Sequence, residues 1–261
     1  MNVHPIEDAR FSGRALGIAT YSLWCYVRFE VEARGRDERG MDRLIGETMH
    51  RYGRRMGALY GLDVKLGGFP DDGFLRGVDA SGRGRVFVSN HRSAIDVLAT
   101  LGHVEGKHVS RADLAGWPII GLVARRIGIL FVDRENRRSS ADVMKRMIEC
   151  VDHGIGVIVF PEGTTYEGDE VRPFKAGAFT VARRTGCEIV PIGIAYTGGG
   201  TSFGDESMLT HMRRVSGAPK THLAMVAGEP FTHEGRDTRT LAEVAHDRVQ
   251  ALVREARKLA G

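Results

Sequence analysis

The chain has 261 residues, of which 42% are hydrophobic and 27% charged, values that suit a folded soluble domain and exclude a wholly disordered or polytopic membrane protein. Lysine and arginine exceed aspartate and glutamate by 37 to 33, which leaves phosphates, anionic lipid and nucleic acid all open as partners. The three cysteines are odd in number and form no C-x-x-C pair, which argues against a disulfide framework or structural zinc and favours a reducing compartment.

The first 60 residues predict two amphipathic helices. Residues 15–27 form the most hydrophobic N-terminal run, which is shorter than the about 20 residues that a helix needs to cross a bilayer. Four aromatic residues between positions 21 and 29 are of types that prefer the headgroup boundary. A second helix is predicted over residues 41–60, and the face opposite its apolar one carries Arg43, Arg51, Arg54 and Arg55. The pair suits either an in-plane membrane anchor or a cap over the core of a larger domain.

Beyond residue 61, short β-rich runs alternate with helical ones, which predicts an α/β domain with a mostly parallel central sheet flanked by helices. The strands are predicted at residues 85–89, 107–110, 128–132, 155–160, 189–196 and 221–227. One helix is predicted over residues 141–152, and another from Leu241 onward, with Thr240 and Glu243 as a capping box. The expected organisation is an N-terminal helical segment at 1–60 and an α/β domain at 61–261.

A histidine and an aspartate follow the first predicted strand of this domain, in the sequence NHRSAID at residues 90–96. On a regular helix His91 and Asp96 would lie about 140° apart, so they meet only if His91 lies on the turn before the helix. A carboxylate there can hold one imidazole nitrogen and leave the other to take a proton, as in a general base with its orienting acid. The alternative is a surface histidine and an aspartate that complements the helix dipole.

A second group of polar residues follows another predicted strand, in the sequence FPEGTT at residues 160–165. Glu162, Gly163, Thr164 and Thr165 offer hydrogen-bonding groups on a turn that lets a ligand approach the backbone. The same residues also fit an ordinary exit from a strand into a loop.

Two cations lie in further short motifs. Arg134 ends the sequence GILFVDR at residues 128–134, and Lys175 lies in RPFKAG at residues 172–177. An arginine just past a strand can bind a phosphate through two hydrogen bonds, or it can be a solvated surface residue. Taken singly, neither motif distinguishes these alternatives.

Together and in this order, the motifs resemble the four blocks of the glycerolipid acyltransferases, the family that includes 1-acylglycerol-3-phosphate acyltransferase. The matching blocks are His91 with Asp96, G-x-x-F-x-x-R at residues 128–134, F-P-E-G-T at 160–164, and V-P-I at 190–192. The resemblance covers about residues 86–196, and F-K-x-G at 174–177 is also similar to the family. It implies that this region is the catalytic domain and that the N-terminal helices are its membrane-docking pair.

By this resemblance, His91 is the general base and Asp96 orients it. The acceptor headgroup is held by Arg134 and Lys175, in a site shaped by Glu162, Gly163, Thr164 and Thr165. The acyl donor is acyl-CoA or acyl carrier protein, and the acceptor is a lysolipid, foremost 1-acyl-sn-glycerol 3-phosphate, which gives phosphatidic acid. No cofactor or metal is expected, since the thioester is already activated. The implied location is peripheral, on the cytoplasmic face of a membrane.

One departure from the family pattern concerns the acceptor. In many phosphatidate-forming members the glutamate block ends in an arginine, whereas this chain has Thr165. A residue other than arginine is similar to relatives that acylate lyso-ornithine lipid. Both acceptors therefore stay open.

Two other classes of protein compete with this interpretation. GTSFG at residues 200–204 matches the G-x-S-x-G motif of serine hydrolases, but only 59 residues follow Ser202, so we predict a loop there. A non-catalytic membrane-binding or nucleic-acid-binding protein would use the arginines but would not need the His/Asp arrangement. We expect no nucleic-acid partner, and the histidine spacings predict no metal site.

Overall fold

The computed structural model describes residues 5–112, 126, 129–133, 136–197, 201–204 and 206–261. Both predicted N-terminal helices are present and longer than predicted, as α1 (Pro5–Glu32) and α2 (Glu38–Tyr60). The carboxylate of Asp37 caps α2 by accepting the Gly40 N–H, and α2 ends at Gly61, which has the left-handed φ of 72° that favours glycine.

A seven-stranded sheet forms the centre of the molecule, in the order β1-β7-β6-β2-β5-β3-β4. Neighbouring strands are parallel except β6 and β7, so the predicted mostly parallel sheet is confirmed. The strands are β1 (Leu62–Gly67), β2 (Val86–Ser89), β3 (Lys107–Arg111), β4 (Leu130–Val132), β5 (Val157–Val159), β6 (Ile189–Tyr196) and β7 (Thr221–Ala227).

Strand β1 is the one strand of the described sheet that the sequence pattern did not predict. It lies at the sheet edge, paired with β7, and none of its residues is fully buried. Its charged residues Asp63 and Lys65 point to solvent, so the run lacks the continuous apolar character of the central strands.

Five further helices surround the sheet in the part of the chain that the structure describes. They are α3 (Ile95–His103), α4 (Arg137–Asp152), α5 (Gly177–Thr185), α6 (Met208–Gly217) and α7 (Thr238–Ala260). The alternation of side chains along β2 divides the core between the two faces of the sheet. Val86 and Val88 pack with residues of α4, α5 and α7, whereas Phe87 packs with residues of α3 and β7.

The predicted capping box of the C-terminal helix is wrong. Helix α7 begins at Thr238, and its N-cap is Asp237, whose carboxylate accepts the Thr240 N–H at 2.9 Å. Glu243 instead bonds to Arg239 at 3.0 Å. An aspartate three residues upstream accepts this N–H and also brings a negative charge to the positive end of the helix dipole, so it displaces Thr240 as the cap.

Both N-terminal helices pack against the α/β part. Helix α2 approaches α3 so closely at Gly53 that a methyl group there would overlap the backbone of Leu101 and Gly102. Helix α1 lies against α6, where the Arg14 guanidinium donates to the carbonyls of Ser216 and Ala218 at 2.6 and 2.7 Å. These carbonyls lie at the end of α6, where they lack partners within the helix.

Helix α1 carries an exposed apolar stripe. At steps of three, four and seven along one face, its large hydrophobic side chains are half or more exposed: Leu16, Leu23, Trp24, Val27 and Val31. Among the described residues, no helix combines the length and the hydropathy that a bilayer crossing requires.

Candidate active site

The predicted meeting of His91 and Asp96 occurs at the carboxyl end of β2. His91 lies on the turn after β2, and Asp96 lies in the first turn of α3. His91 Nδ1 and Asp96 Oδ2 are 2.8 Å apart. The aspartate side chain is fully buried, whereas that of the histidine is 17% exposed. The turn before α3 therefore brings the pair together, as the five-residue spacing required.

The carboxylate of Asp96 is held by several donors. Its Oδ2 accepts the backbone N–H groups of Arg92 and Ser93 at 2.6 and 2.9 Å, and its Oδ1 accepts the Tyr196 hydroxyl at 2.5 Å. Because an ionised carboxylate only accepts, His91 donates through Nδ1–H and keeps the lone pair of Nε2 for a proton. This is the hydrogen-bonding pattern of a general base and its orienting acid.

Phe160 fixes the ring plane of His91. The two rings stack with centroids 4.2 Å apart and an angle of 16° between their planes. Phe160 directly follows β5, which pairs with β2, so the histidine and glutamate blocks begin at the same edge of the sheet. The imidazole is thus oriented by a carboxylate at one nitrogen and by an aromatic face.

Glu162 is buried beneath the histidine block. Its carboxylate accepts the His91 N–H at 2.7 Å and the Arg172 N–H at 2.8 Å, and it receives the Arg92 guanidinium at 2.8 and 3.1 Å. These contacts lie within the protein, so Glu162 holds the backbone of His91 in place.

Gly163 and Lys175 lie against each other. Gly163 has a φ of 85°, and a side chain at this position would collide with the Lys175 side chain. The Lys175 N–H also donates to the Pro161 carbonyl at 2.9 Å, which joins the two segments. The Lys175 side chain is exposed, so the chain places a cation next to the glutamate block.

The two threonines of the glutamate block differ in their surroundings. Thr164 is exposed, whereas the Thr165 hydroxyl donates to the Phe203 carbonyl at 2.8 Å. The Phe203 N–H in turn donates to the Arg92 carbonyl at 2.8 Å. The segment 201–204 is therefore bonded to both the histidine block and the glutamate block, and an open cleft of about 550 Å³ lies beside it. Ser202 lies in this loop, as predicted.

A second serine, Ser93, has partners that resemble a hydrolase triad. Its Oγ lies 3.0 Å from His211 Nε2, and His211 Nδ1 lies 3.0 Å from Glu206. However, Ser93 and His211 are both fully buried, and Ser93 Oγ also accepts the Ile95 N–H at 3.3 Å. A nucleophile needs access to its substrate, so these contacts assign Ser93 to the turn before α3.

Arg134 and Gly128, the last and first residues of its motif, lie outside the described residues. The structure brings the other predicted site residues, His91, Asp96, Glu162, Gly163, Thr164, Thr165 and Lys175, to one edge of the sheet.

Comparison with known proteins relates the part of the chain that carries these blocks to a family. A protein-family model described as Acyltransferase matches residues 76–195, which include the histidine and glutamate blocks. Residues 76–195 are an acyltransferase domain. A chloroplastic 1-acyl-sn-glycerol-3-phosphate acyltransferase of Brassica napus is 38% identical over 127 residues, which is 48% of this chain and 37% of that protein. A lyso-ornithine lipid O-acyltransferase of Pseudomonas aeruginosa is 28% identical over 174 residues, 63% of this chain and 66% of that one.

The fold of the chain matches a solved structure. The crystal structure of the 1-acyl-sn-glycerophosphate acyltransferase of Thermotoga maritima aligns with a TM-score of 0.70 at 21% identity, over 96% of this chain and 95% of that one. The predicted resemblance and α/β fold are thus confirmed. The chain matches less than two fifths of the length of its chloroplast relative.

Sequence reasoning missed two residues that support the candidate site. Arg92 joins the blocks through Glu162 and through the carbonyls of Gly168 and Glu170, at 2.6 and 2.9 Å. Tyr196, at the end of β6, reaches Asp96 from 100 positions away. The available signal was positional, because Tyr196 ends the strand that contains the V-P-I block, and neighbouring parallel strands end at the same edge of a sheet.

Proposed function

We propose that this protein transfers a fatty acyl group from an acyl thioester to the free hydroxyl of a lysolipid. The observation that carries the proposal is the pair formed by His91 and Asp96. The buried carboxylate holds Nδ1 at 2.8 Å, while the partly exposed imidazole can present Nε2 to a substrate. The acyltransferase domain and the names of the relatives give the reaction class.

The mechanism follows from this geometry. His91 Nε2 removes the proton of the acceptor hydroxyl as its oxygen attacks the thioester carbonyl, and such general base catalysis contributes about 10² to 10⁴ in rate. Asp96 stabilises the imidazolium that forms. When the tetrahedral intermediate collapses, the carbon–sulfur bond breaks and the imidazolium returns its proton to the leaving sulfur. The thioester supplies the activation, so the proposal includes no cofactor or metal.

We take 1-acyl-sn-glycerol 3-phosphate as the foremost acceptor, with phosphatidic acid as the product. The support is the exposed cation of Lys175 beside the glutamate block, together with the activity that the chloroplast relative is named for. Arg134 is proposed as the second cation that binds the phosphate. Ammonium and guanidinium groups form charge-assisted hydrogen bonds to phosphate oxygens.

Lyso-ornithine lipid is the alternative acceptor, and Thr165 favours it. The Thr165 hydroxyl is bonded to the Phe203 carbonyl at 2.8 Å, so it holds the segment 201–204. A lipid without a phosphate monoester needs fewer cations at this place. The Pseudomonas relative carries the corresponding name.

We further propose that the protein binds the cytoplasmic face of a membrane through α1 and α2. The exposed stripe on α1 presents large apolar side chains, and α2 carries four exposed arginines, Arg43, Arg51, Arg54 and Arg55. Apolar side chains in the headgroup region and cations near anionic lipid both favour peripheral binding, the latter by about 1 kcal/mol for each cation. The acyl donor, acyl-CoA or acyl carrier protein, would come from the aqueous side.

The test is an acyl-transfer assay of the full chain that offers lysophosphatidate and lyso-ornithine lipid, each with acyl-CoA and with acyl carrier protein. We expect turnover with at least one pair, and loss of at least about 10²-fold in the His91→Ala variant with an unchanged thermal melt. Near-normal turnover of a folded His91→Ala variant would rule out the general base. Failure of every pair, with lipid binding retained, would favour a non-catalytic membrane protein.

A further inference from the structure

Tyr196 ends a central strand beside the proposed catalytic pair. It is the last residue of β6, which is parallel to β2, so both strands deliver their carboxyl ends to the same edge of the sheet. The Tyr196 side chain is buried, and its hydroxyl donates to Asp96 Oδ1 at 2.5 Å. We propose that Tyr196 is a positioning residue that holds the Asp96 carboxylate in the orientation that supports His91. This inference rests on the proposed function.

The two oxygens of Asp96 have different partners. Oδ2 receives His91 Nδ1 and the backbone N–H groups of Arg92 and Ser93, whereas Oδ1 receives the Tyr196 hydroxyl. In a fully buried carboxylate, an oxygen that loses its donor is left without solvent to replace it, which is unfavourable. Removing the hydroxyl therefore leaves Oδ1 unsatisfied and makes the carboxylate a stronger acceptor for the proton shared with His91.

Tyr196 remains a donor over the working pH range. Burial, and next the charge of Asp96, raise the pKa of its hydroxyl well above 10. Its backbone is also fixed, because the Arg257 guanidinium donates to the Tyr196 carbonyl and pairs with Asp169 at 2.6 Å. Strand β6 and helix α7, which contains Arg257, thus hold the Tyr196 side chain in place.

Other titratable groups near Asp96 are neutral or paired at neutral pH. Burial lowers the pKa of His211, which reaches the Asp96 turn through Ser93, and burial lowers the pKa of His108 to about 3. His108 contacts α3, because its Nε2 lies 2.8 Å from the hydroxyl oxygen of Thr100. The Arg92–Glu162 ion pair also lies at this turn. The Tyr196 hydroxyl bonds to Asp96, so a change at Tyr196 acts on Asp96 and, through it, on His91.

The experiment compares Tyr196→Phe with the wild type in the full chain. Loss of a hydrogen bond to a charged group predicts a kcat lower by roughly tenfold to a hundredfold, with KM little changed, because the Tyr196 side chain is buried. The acidic limb of the kcat/KM profile should move to higher pH by about half a unit or more, because a less solvated carboxylate holds the imidazolium proton more strongly. A residue with a structural role alone would lower the melting temperature and leave this limb in place.

The matched control is Tyr60→Phe. The Tyr60 hydroxyl is bonded to Ser216, and burial raises its pKa to about 12, so this variant also loses a hydrogen-bonded phenol hydroxyl from a half-buried tyrosine. We expect its kcat and its pH profile to match the wild type. A shift of the limb in both variants, or in neither, would overturn the inference.

Two further measurements keep the test decisive. If Tyr196→Phe does not fold, 3-fluorotyrosine can be placed at position 196. It keeps the hydroxyl and makes it a stronger donor, so the acidic limb should move to lower pH. An unmoved limb contradicts the proposal.

If the wild type shows no turnover, the proposed function fails on its own. An NMR titration of the His91 ring, assigned with His91→Ala, then still reports on Tyr196, because its midpoint should rise in Tyr196→Phe. An unchanged midpoint would overturn the role of Tyr196.

Discussion

Arg92 and Glu162 form a buried ion pair that joins the histidine block to the glutamate block. The guanidinium lies 2.8 Å from Glu162 Oε1, and the two side chains are 4% and 0% exposed. The same carboxylate accepts the His91 N–H, so the pair determines where the proposed base lies. A buried pair costs desolvation energy to form, but breaking it leaves an uncompensated charge in the interior.

We therefore expect Glu162→Gln to lower the free energy of unfolding by about 3 to 5 kcal/mol, measured by chemical denaturation, and to lower kcat because the His91 loop loses its support. The matched control is Glu243→Gln, which breaks the exposed pair of Arg239 and Glu243 at 3.0 Å. That change should cost less than about 1 kcal/mol. Equal effects of the two substitutions would show that the buried pair does not hold the site.

The meeting of His91 and Asp96 was predictable because it is local. Five residues separate the two, and the turn between a buried strand and a helix allows one geometry for their contact. The central strands β6 and β7 were predicted with the bounds that the structure shows, because each is a long apolar run. The resemblance to the acyltransferases was also predictable, because the motifs follow one another in the family's order along the chain.

The supporting contacts were not predictable because they join distant segments. Arg92 and Glu162 are 70 positions apart, and Tyr196 and Asp96 are 100 positions apart. A single arginine or tyrosine in a sequence gives no sign of its partner, since pairing depends on how the strands are ordered in the sheet. The order β6-β2-β5 brings these residues together, and this order follows from the whole topology.

The buried histidine His108 should make stability depend on pH. Burial, and next the charge of His91, lower the pKa of His108 from an ordinary value of about 6.5 to about 3. Below about pH 6.5 the unfolded chain binds a proton that the folded one does not. The contribution of His108 is therefore fully present above pH 6.5 and is lost as the pH falls towards 3, by up to about 1.4 kcal/mol for each pH unit.

Urea unfolding at pH 7, 6 and 5 measures this slope. We expect the free energy of unfolding of His108→Gln to depend less steeply on pH, by the contribution of about one proton, whatever the effect of the substitution on stability at pH 7. His153→Gln removes an exposed histidine and should leave the slope as in the wild type. If His108→Gln and the wild type lose stability in parallel, the protonation of His108 does not oppose folding.

The exposed stripe of α1 should determine membrane binding. Leu23 is 65% exposed, so Leu23→Glu should leave the fold intact while it removes apolar area and adds a charge that anionic lipid repels. We expect binding to anionic liposomes to fall by tenfold or more, since burial of one leucine side chain contributes about 1.5 to 3 kcal/mol. Flotation measures this. Ala141→Glu, on the exposed face of α4, is the control and should float as the wild type does; equal flotation of Leu23→Glu would place the membrane contact elsewhere.

The last prediction concerns the acceptor headgroup and Lys175. If the exposed ammonium next to Gly163 binds a phosphate monoester, Lys175→Met should lower kcat/KM for lysophosphatidate by roughly tenfold to a hundredfold, the value of a charge-assisted hydrogen bond. Methionine has the same unbranched stem as far as Cε, so the packing of the stem beside the glycine is retained. Lys220→Met removes an exposed lysine just before β7 and should change kcat/KM little.

The comparison of acceptors tests the role of Lys175. In Lys175→Met, kcat/KM for a lyso-ornithine lipid should fall much less than kcat/KM for lysophosphatidate. An equal loss for both acceptors would show that Lys175 does not select the phosphate. Efficient use of lyso-ornithine lipid by the wild type, with lysophosphatidate poor, would show that Thr165 marks a different headgroup site.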